Sequence, residues 1–373
     1  MTFRCLLLIA ILFSTATIGF AQDKATLGGY GELHYNDVTN TESGENPSGI
    51  LDFHRFVLFA GYEFNEWISF RSETEIEHTR IESGENNGGE VALEQAYIDL
   101  RYRPALGVRL GLVLVPVGIV NPVHEPPTFN GVERPNVEKV LIPSTWRESG
   151  MGIYGRLFDH LDYEAYVMAG LNPEGISGKN GIRGGRQKGL RSSTDNLAFT
   201  ARIRYQVDLN LSLAISYYFS NLSSDQTFPS ANLSGVRLNL AEAHVMFQQN
   251  GLEVRGLVIF STISNARKLN AEFGNDAGQS QFGGYVELGY DVLGVFAPET
   301  EQQLSLFGRF EAYDTQFSTD GTGDNPAYAR QETTFGLTYK PTPQVAFKAD
   351  YQWLYNRKTH NLRQFNLGVG YNF

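Results

Sequence analysis

The chain has 373 residues, of which 13% are aromatic, 39 are glycine and only 19% are charged. This composition excludes a disordered tail protein, which would lack aromatic residues, and a coiled coil, which would be rich in Ala, Glu, Lys and Leu. The formal net charge of -11 argues against a nucleic-acid partner. We therefore expect a chain built of strands and turns.

The first predicted element is a secretory signal peptide over residues 1–21, followed by a single domain over residues 22–373. Arg4 supplies the positive charge, an apolar run extends from Leu6 to Phe13, and Ala21 ends a small-x-small cleavage motif. A transmembrane helix would need about 20 apolar residues, and this run is shorter. Cys5 is the only cysteine, so the mature chain is expected to contain no thiol.

From residue 22 onward, apolar and polar residues alternate with the period of a strand that has two unlike faces. In the clearest segment, Phe365, Leu367, Val369 and Tyr371 alternate with small and polar residues. The sequence contains sixteen such segments. They span about 25–35, 50–63, 67–78, 91–103, 107–117, 149–158, 161–170, 196–207, 210–220, 238–248, 252–263, 281–292, 302–315, 330–340, 344–356 and 362–373.

The connections between these segments alternate between short turns and long loops. This alternation is typical of a transmembrane barrel with an even number of strands. A soluble β-sandwich would show the same alternation but would bury the apolar face. Aromatic residues recur at the segment ends, and the polar faces carry charges of both signs. Both features favour a membrane barrel, with its apolar face towards lipid and its charges in the lumen. We therefore predict an all-β, transmembrane antiparallel barrel of about 16 strands.

Part of the chain resembles the phosphate-selective porin O and P family. The matching pieces are Phe53-His54-Arg55, Phe64-Asn65-Glu66-Trp67, the stretch from Leu93 to Leu100, the stretch from Val108 to Gly111, Pro116-Val117-Gly118, and the stretch from Arg147 to Gly152. The resemblance implies a sixteen-stranded, trimeric outer-membrane channel whose third long loop folds into the lumen, with a preference for anions. In addition, Tyr371 and Phe373 resemble the terminal signal that the outer-membrane barrel assembly machinery reads.

The loop over residues 118–148 is the predicted constriction. Six of the fourteen prolines lie between Pro116 and Pro143, and proline reduces the entropy that a loop loses when it holds one shape. A surface loop packed against a neighbouring protomer remains the alternative. The predicted pore-lining residues are Arg55, Arg71, Glu73, Glu75, Asp99, Arg101, Arg109, Glu133, Arg134 and Arg147. Between adjacent strands, Arg71 is expected to pair with Asp99, and Arg309 with Glu287.

Two further groups of polar residues are candidate binding sites, and the sequence favours a structural role for the first and does not establish a site for the second. The basic run from Lys179 to Arg191 is interpreted as a solvated loop, with an anion-gathering or lipopolysaccharide patch as the alternative. Glu32 with His34, and Asp52 with His54, each place a carboxylate and an imidazole on one strand face. A metal site needs three or four converging ligands, and the sequence does not show that these pairs converge. No metal or cofactor is therefore expected.

The function predicted from the sequence is passive diffusion of small hydrophilic solutes through an outer-membrane porin, with a mild preference for anions. A specific phosphate or anion channel is one alternative, and a structural or adhesive barrel with a closed lumen is another. No sequence-local catalytic signature is found, so an enzyme is not expected. The expected partners are small hydrophilic solutes or anions, outer-membrane lipid, the barrel assembly machinery and two further copies of the chain.

Overall fold

A computed structural model describes residues 24–40, 49–79, 89–223, 232–321, 323–358 and 362–373. The predicted signal peptide over residues 1–21 lies outside these residues. Within them, the chain forms sixteen antiparallel strands that close into one barrel, in which β1 pairs with both β2 and β16. The predicted strand number and closed barrel are thereby confirmed.

The strands coincide closely with the alternating segments, and most bounds agree within three residues. They are β1 (Ala25–Asn40), β2 (Ile50–Glu63), β3 (Ile68–Glu77), β4 (Val91–Arg103), β5 (Leu106–Leu114), β6 (Arg147–Phe158), β7 (Leu161–Ala169), β8 (Leu197–Gln206), β9 (Leu211–Asn221), β10 (Arg237–Gln249), β11 (Leu252–Ser264), β12 (Ser280–Asp291), β13 (Gln303–Ser318), β14 (Ala329–Thr342), β15 (Val345–Asn356) and β16 (Leu362–Asn372). β1 is the main departure, because it continues five residues beyond its predicted end at residue 35.

The helices of the described chain are short and lie in the connections. They are α1 (Asn136–Val140), α2 (Ala266–Phe273) and α3 (Leu293–Phe296), with 3₁₀ turns at Pro126–Thr128, Pro173–Gly175, Arg183–Gly185 and Pro326–Tyr328. None of the helices in the described ranges is long and apolar enough to span a membrane.

The distribution of polar and apolar side chains over the two strand faces is the reverse of that in a soluble protein. Phe199, Ile203, Ile215 and Phe260 are large apolar side chains that remain 44–59% exposed on the outer surface. The alternating positions are polar and buried, for example Thr200 at 0% exposure. Lipid can solvate the outer apolar face, whereas the lumen can hold polar groups, so this arrangement is that of a transmembrane barrel.

The final residues lie at the seam that closes the barrel. The backbone of Phe373 exchanges two hydrogen bonds with Gly29, of 2.9 and 3.0 Å. Its ring stacks on Phe56 and on Tyr371, with centroid distances of 6.3 and 6.5 Å. The proposed role of Tyr371 and Phe373 as an assembly signal stays a prediction.

We call the end of the barrel that carries the short turns the short-turn end, and the opposite end the long-loop end. The connection between β5 and β6, over residues 115–146, starts at the long-loop end and folds into the lumen, as predicted. Val117, Val137, Ile142 and Trp146 are completely buried. The loop therefore contributes most of its own apolar side chains to a core inside the barrel.

Candidate functional site

The lumenal loop is attached to the barrel wall through its main chain. Three wall carboxylates accept hydrogen bonds from backbone N–H groups of the loop. The pairs are Glu242 with Gly118 at 3.4 Å, Asp350 with Val132 at 2.6 Å, and Glu311 with Val137 at 2.9 Å. Hydrogen bonds to ionised groups are stronger than neutral ones, so these contacts fix the path of the loop across β10, β13 and β15.

Wall cations complement these contacts by donating hydrogen bonds to backbone carbonyls of the loop. The pairs are Arg255 with Thr128 at 2.9 Å, Lys348 with Phe129 at 2.8 Å, and Arg309 with Glu133 at 3.2 Å. Arg309 also forms the predicted ion pair with Glu287, at 3.1 Å, and a second pair with Glu311, at 3.0 Å. The charged side chains that face the lumen therefore bind the loop backbone and form ion pairs with one another.

Glu133 anchors the loop to β1. Its carboxylate lies 3.4 Å from His34 Nδ1 and accepts hydrogen bonds from Asn36, at 3.2 Å, and from Lys139, at 3.0 Å. Burial alone would raise the pKa of the Glu133 carboxyl. Lys139 and His34 outweigh that effect and hold the pKa well below its usual range. Glu133 therefore remains an anion within the loop.

His124 anchors the first half of the loop to β3 and β4. Its Nε2 atom lies 3.2 Å from a Glu94 oxygen and 3.4 Å from a Glu73 oxygen, and all three side chains are buried. Burial alone would lower the pKa of His124, but the two carboxylates outweigh it and raise the pKa to about 10. At neutral pH, His124 is thus a cation that pairs with two wall carboxylates.

Replacing His124 with glutamine is expected to make stability less dependent on pH. Because the pKa of His124 is raised in the folded state, its contribution is complete below its ordinary pKa of about 6.5 and is lost as the pH rises through about 10. We expect the variant to melt about 5 °C or more below the wild type at pH 6, since a buried ion pair is broken. The difference should disappear near pH 10.5, as measured by thermal unfolding in detergent.

His160→Gln is the matched control for this prediction, because His160 is exposed at the short-turn end. It should leave the melting temperature and its pH profile unchanged. A constant difference between wild type and the His124 variant across the whole pH range would contradict the assigned charge on His124.

Several of the predicted pore-lining residues gather around this anchored half of the loop. Arg55 is buried between Glu32, at 2.7 Å, and Glu75, at 3.1 Å. Arg134 donates to the His124 carbonyl at 3.2 Å, and Arg147 lies 3.5 Å from Glu94. These side chains are buried with Glu73, which contacts His124, and each of them binds an opposite charge or the loop backbone. We call them the buried charge network.

The other predicted pore-lining residues lie apart from this network. Asp99 accepts a hydrogen bond from Tyr154 at 2.5 Å and lies 3.8 Å from Arg109. Arg101 lies at the short-turn end, where it contacts Glu63 at 2.5 Å. The expected pair of Arg71 with Asp99 is wrong, because the register places Asp99 opposite Ser69 and places Arg71 opposite Tyr97.

Glu94 is a member of the network that the sequence analysis missed. Strict alternation from Asp99 would turn Glu94 away from the lumen. The register between β3 and β4 shifts between Glu73 and Thr74, and such a bulge re-aims the side chains that follow it. Glu94 is consequently buried, and it accepts a hydrogen bond from Tyr30 at 3.4 Å.

An open cavity of about 620 Å³ lies between the loop and the wall formed by β4 to β8. Its charged lining comprises four arginines and two carboxylates, so the basic groups exceed the acidic groups by two. These residues are Arg109, Arg156, Arg202, Arg204, Asp162 and Glu164. Four tyrosines complete the polar wall, and Tyr154 packs its ring 4.1 Å from the Arg109 guanidinium.

A smaller cavity of about 170 Å³ opens on the other side of the loop, towards the long-loop end. Its charged lining comprises four basic side chains and three carboxylates, together with two histidines. These residues are Arg55, Arg134, Lys139, Arg183, Glu32, Glu77, Glu133, His34 and His54. Both cavities thus have a small basic excess, although the whole chain carries a net charge of -11.

Two arginines of the basic run contact the lumenal loop, so the interpretation of that run as a solvated loop is wrong for them. Arg183 donates to the Ser144 carbonyl at 2.6 Å, and Arg186 donates to the Thr145 carbonyl at 3.1 Å. Burial, followed by the nearby charge of Arg183, lowers the pKa of Arg186 to about 9. The loop over residues 170–196 is therefore packed onto the lumenal loop.

Comparison with known proteins yields one close sequence relative and many structural ones. An uncharacterized protein of Aquifex aeolicus (strain VF5) is 39% identical over 338 residues, which cover 87% of this chain and 74% of the relative. No family model matches the chain. The specific match to the phosphate-selective porin O and P family therefore has no support from this comparison.

The similar solved structures are outer-membrane proteins. Salmonella typhi OmpF, in complex with daunomycin, aligns with a TM-score of 0.61 at 15% identity, covering 94% of this chain and 97% of that one. An anion-selective porin of Comamonas acidovorans aligns with a TM-score of 0.54 at 12% identity, covering 94% and 99%. The trimer form of Vibrio cholerae OmpT aligns with a TM-score of 0.54 at 9% identity, covering 94% and 100%. At these identities, the likeness establishes a porin-like fold.

Proposed function

We propose that this chain, which belongs to the same family as the uncharacterized Aquifex aeolicus protein, is an outer-membrane porin for passive diffusion of small hydrophilic solutes, with a mild preference for anions. The observation that carries this proposal is the lining of the 620 Å³ cavity, where four arginines face two carboxylates. Charges that line a narrow aqueous passage select permeating ions by sign. The excess is small and the arginines are paired with carboxylates, so the preference is weak.

The proposal extends to the location and assembly of the protein. Residues 1–21 act as a signal peptide for export, the barrel assembly machinery recognises the end of β16, and the barrel resides in the outer membrane as a homotrimer. The trimer form of the structurally similar OmpT supports the oligomeric state by analogy. Membership of the phosphate-selective porin O and P family rests on the short sequence motifs alone.

The reversal potential of the purified protein in a planar bilayer tests this function. With an about tenfold gradient of potassium chloride, a perfectly selective channel gives about 59 mV. We expect discrete conductance steps and a potential of anionic sign well below that limit. A potential of cationic sign would contradict the assigned selectivity.

A structural barrel with a closed lumen is the second candidate, because the loop contacts the inner wall from β10 to β15 and also β1. The two candidates differ in one measurement. A closed barrel would show no conductance as wild type and would conduct once residues 119–143 are replaced by a short glycine–serine linker.

A further inference from the structure

The two carboxylate–histidine pairs of β1 and β2 converge at the long-loop end. The register between these strands places His34 opposite Asp52, and the rings of His34 and His54 stack with centroids 4.7 Å apart. His78, which follows the last residue of β3, packs its ring against His54 at 5.5 Å. The convergence that the sequence alone does not reveal is therefore present, with a third histidine added.

Asp52 is the centre of this cluster. Its Oδ2 atom lies 3.1 Å from His54 Nδ1 and 2.9 Å from His78 Nδ1. One donor atom from each of the three residues lies within 4.8 Å of the other two. Ligands at about 2.0–2.2 Å from a tetrahedral zinc ion are roughly 3.3 Å apart, so only small side-chain movements separate this arrangement from a coordination shell.

The backbone orients His78 towards the cluster. His78 has a φ of 51°, in the left-handed region, which is uncommon for residues other than glycine, although histidine is among those enriched there. Its N–H donates to the His54 carbonyl at 3.2 Å. In this conformation the His78 imidazole faces Asp52.

The surroundings allow a metal ion to enter. The His78 side chain is 48% exposed, and those of His54 and Asp52 are 29% and 25% exposed. The adjacent Arg55 would repel a cation, but Glu32 and Glu75 pair with it at 2.7 and 3.1 Å. The cluster of Glu73, Glu94 and His124 differs, because all three side chains are buried and His124 already supplies a cation to both carboxylates.

We propose that Asp52, His54 and His78 bind a divalent transition-metal ion at the long-loop mouth of the barrel. Two imidazole nitrogens and a carboxylate oxygen suit zinc, copper or nickel, whereas magnesium and calcium prefer oxygen ligands alone. Three protein ligands leave the fourth tetrahedral position to water. Binding at this site does not require a conducting pore, so its test is separate from the test of the proposed function.

The test is isothermal titration of zinc chloride into the detergent-solubilised full chain, purified without a histidine tag and freed of chelators. We expect one zinc ion per chain for the wild type. His78→Gln removes a ligand from an exposed position and should weaken binding by at least about tenfold, since loss of even an outer partner of a ligand costs about 10–100-fold. Asp52→Asn should have a similar effect.

His160→Gln is the control, since it removes an exposed histidine at the opposite end of the barrel, and it should bind zinc as the wild type does. Magnesium chloride should give no comparable heat. Equal zinc affinity of the wild type and the His78 variant, or absence of zinc binding to the wild type, would overturn the proposal. Circular dichroism and the heat-dependent gel mobility of each variant establish that it is folded.

Discussion

Changing Arg156 and Arg204 together to glutamate is expected to turn the proposed weak preference for anions into a preference for cations. Both side chains line the 620 Å³ cavity, are about half exposed, and share Asp162 as their partner at 2.7 Å. The double change converts a lining of four arginines and two carboxylates into one of two arginines and four carboxylates. The reversal potential should change sign by a few tens of mV, within the limit of about 59 mV.

The matched control places the same change in charge outside the cavity. Arg357 and Lys358 are adjacent and exposed beyond the end of β15, so their double change to glutamate also alters the net charge by four. Neither residue lines the cavity, and salt screens exposed charges over about 8–10 Å, so this control should keep the wild-type potential. If both double variants shift the potential equally, the cavity is not the selective region.

Replacing Arg309 with methionine is expected to give the largest loss of stability among single substitutions in the strands of the barrel wall. Arg309 is 2% exposed and lies within 3.1 Å of carboxylate oxygens of both Glu287 and Glu311. Its removal leaves Glu287 with the more distant Arg255, at 4.0 Å, and leaves Glu311 without an ion-pair partner among the described residues. Breaking a buried pair costs about 3–5 kcal/mol. The temperature at which the folded band converts to the unfolded band on a gel should fall by about 10 °C.

A compensating variant separates this charge effect from a loss of packing. Glu287→Gln and Glu311→Gln, added to the Arg309 substitution, remove the uncompensated charges while leaving an acceptor for the Val137 N–H. Most of the lost stability should return. Arg237→Met, an exposed arginine on β10, serves as the single-substitution control. A triple variant no more stable than the single one would show that packing, not charge, is the cause.

The strands are predictable from the sequence because each one is a local pattern. A strand that meets lipid on one side and a polar lumen on the other must alternate over its whole length, and this holds for segments such as Leu197–Gln206. The exact pairing of side chains across strands is not local. It depends on register. A single bulge beside Glu73 brings Glu94 into the lumen, and the regular register on the other side of that bulge places Tyr97, not Asp99, opposite Arg71.

The contacts between the loop and the wall could not be predicted, because they join residues far apart in the sequence. Val132 and Asp350 are one such pair, and Gly118 and Glu242 are another. Proline content indicated a rigid loop at residues 118–148, but nothing in its residue types specifies which strands it reaches. The histidine cluster could not be predicted either, because it depends on the pairing of β1 with β2. The register of these strands shifts between Glu32 and Leu33, and this shift places His34 opposite Asp52.

On the side of β11 to β15, the wall binds main-chain atoms of the lumenal loop, whereas the side chains of His124 and Glu133 bind the side of β1 to β4. The groups that Arg255, Lys348, Glu311 and Asp350 bind are carbonyls and N–H groups that nearly any residue would provide. Loop side chains other than the anchors His124 and Glu133 can therefore be exchanged while the main-chain contacts preserve the course of the loop. In evolutionary terms, a barrel of this kind can change the chemistry of its lumen by point substitution on an unchanged frame, in the way that an antibody domain varies its binding loops.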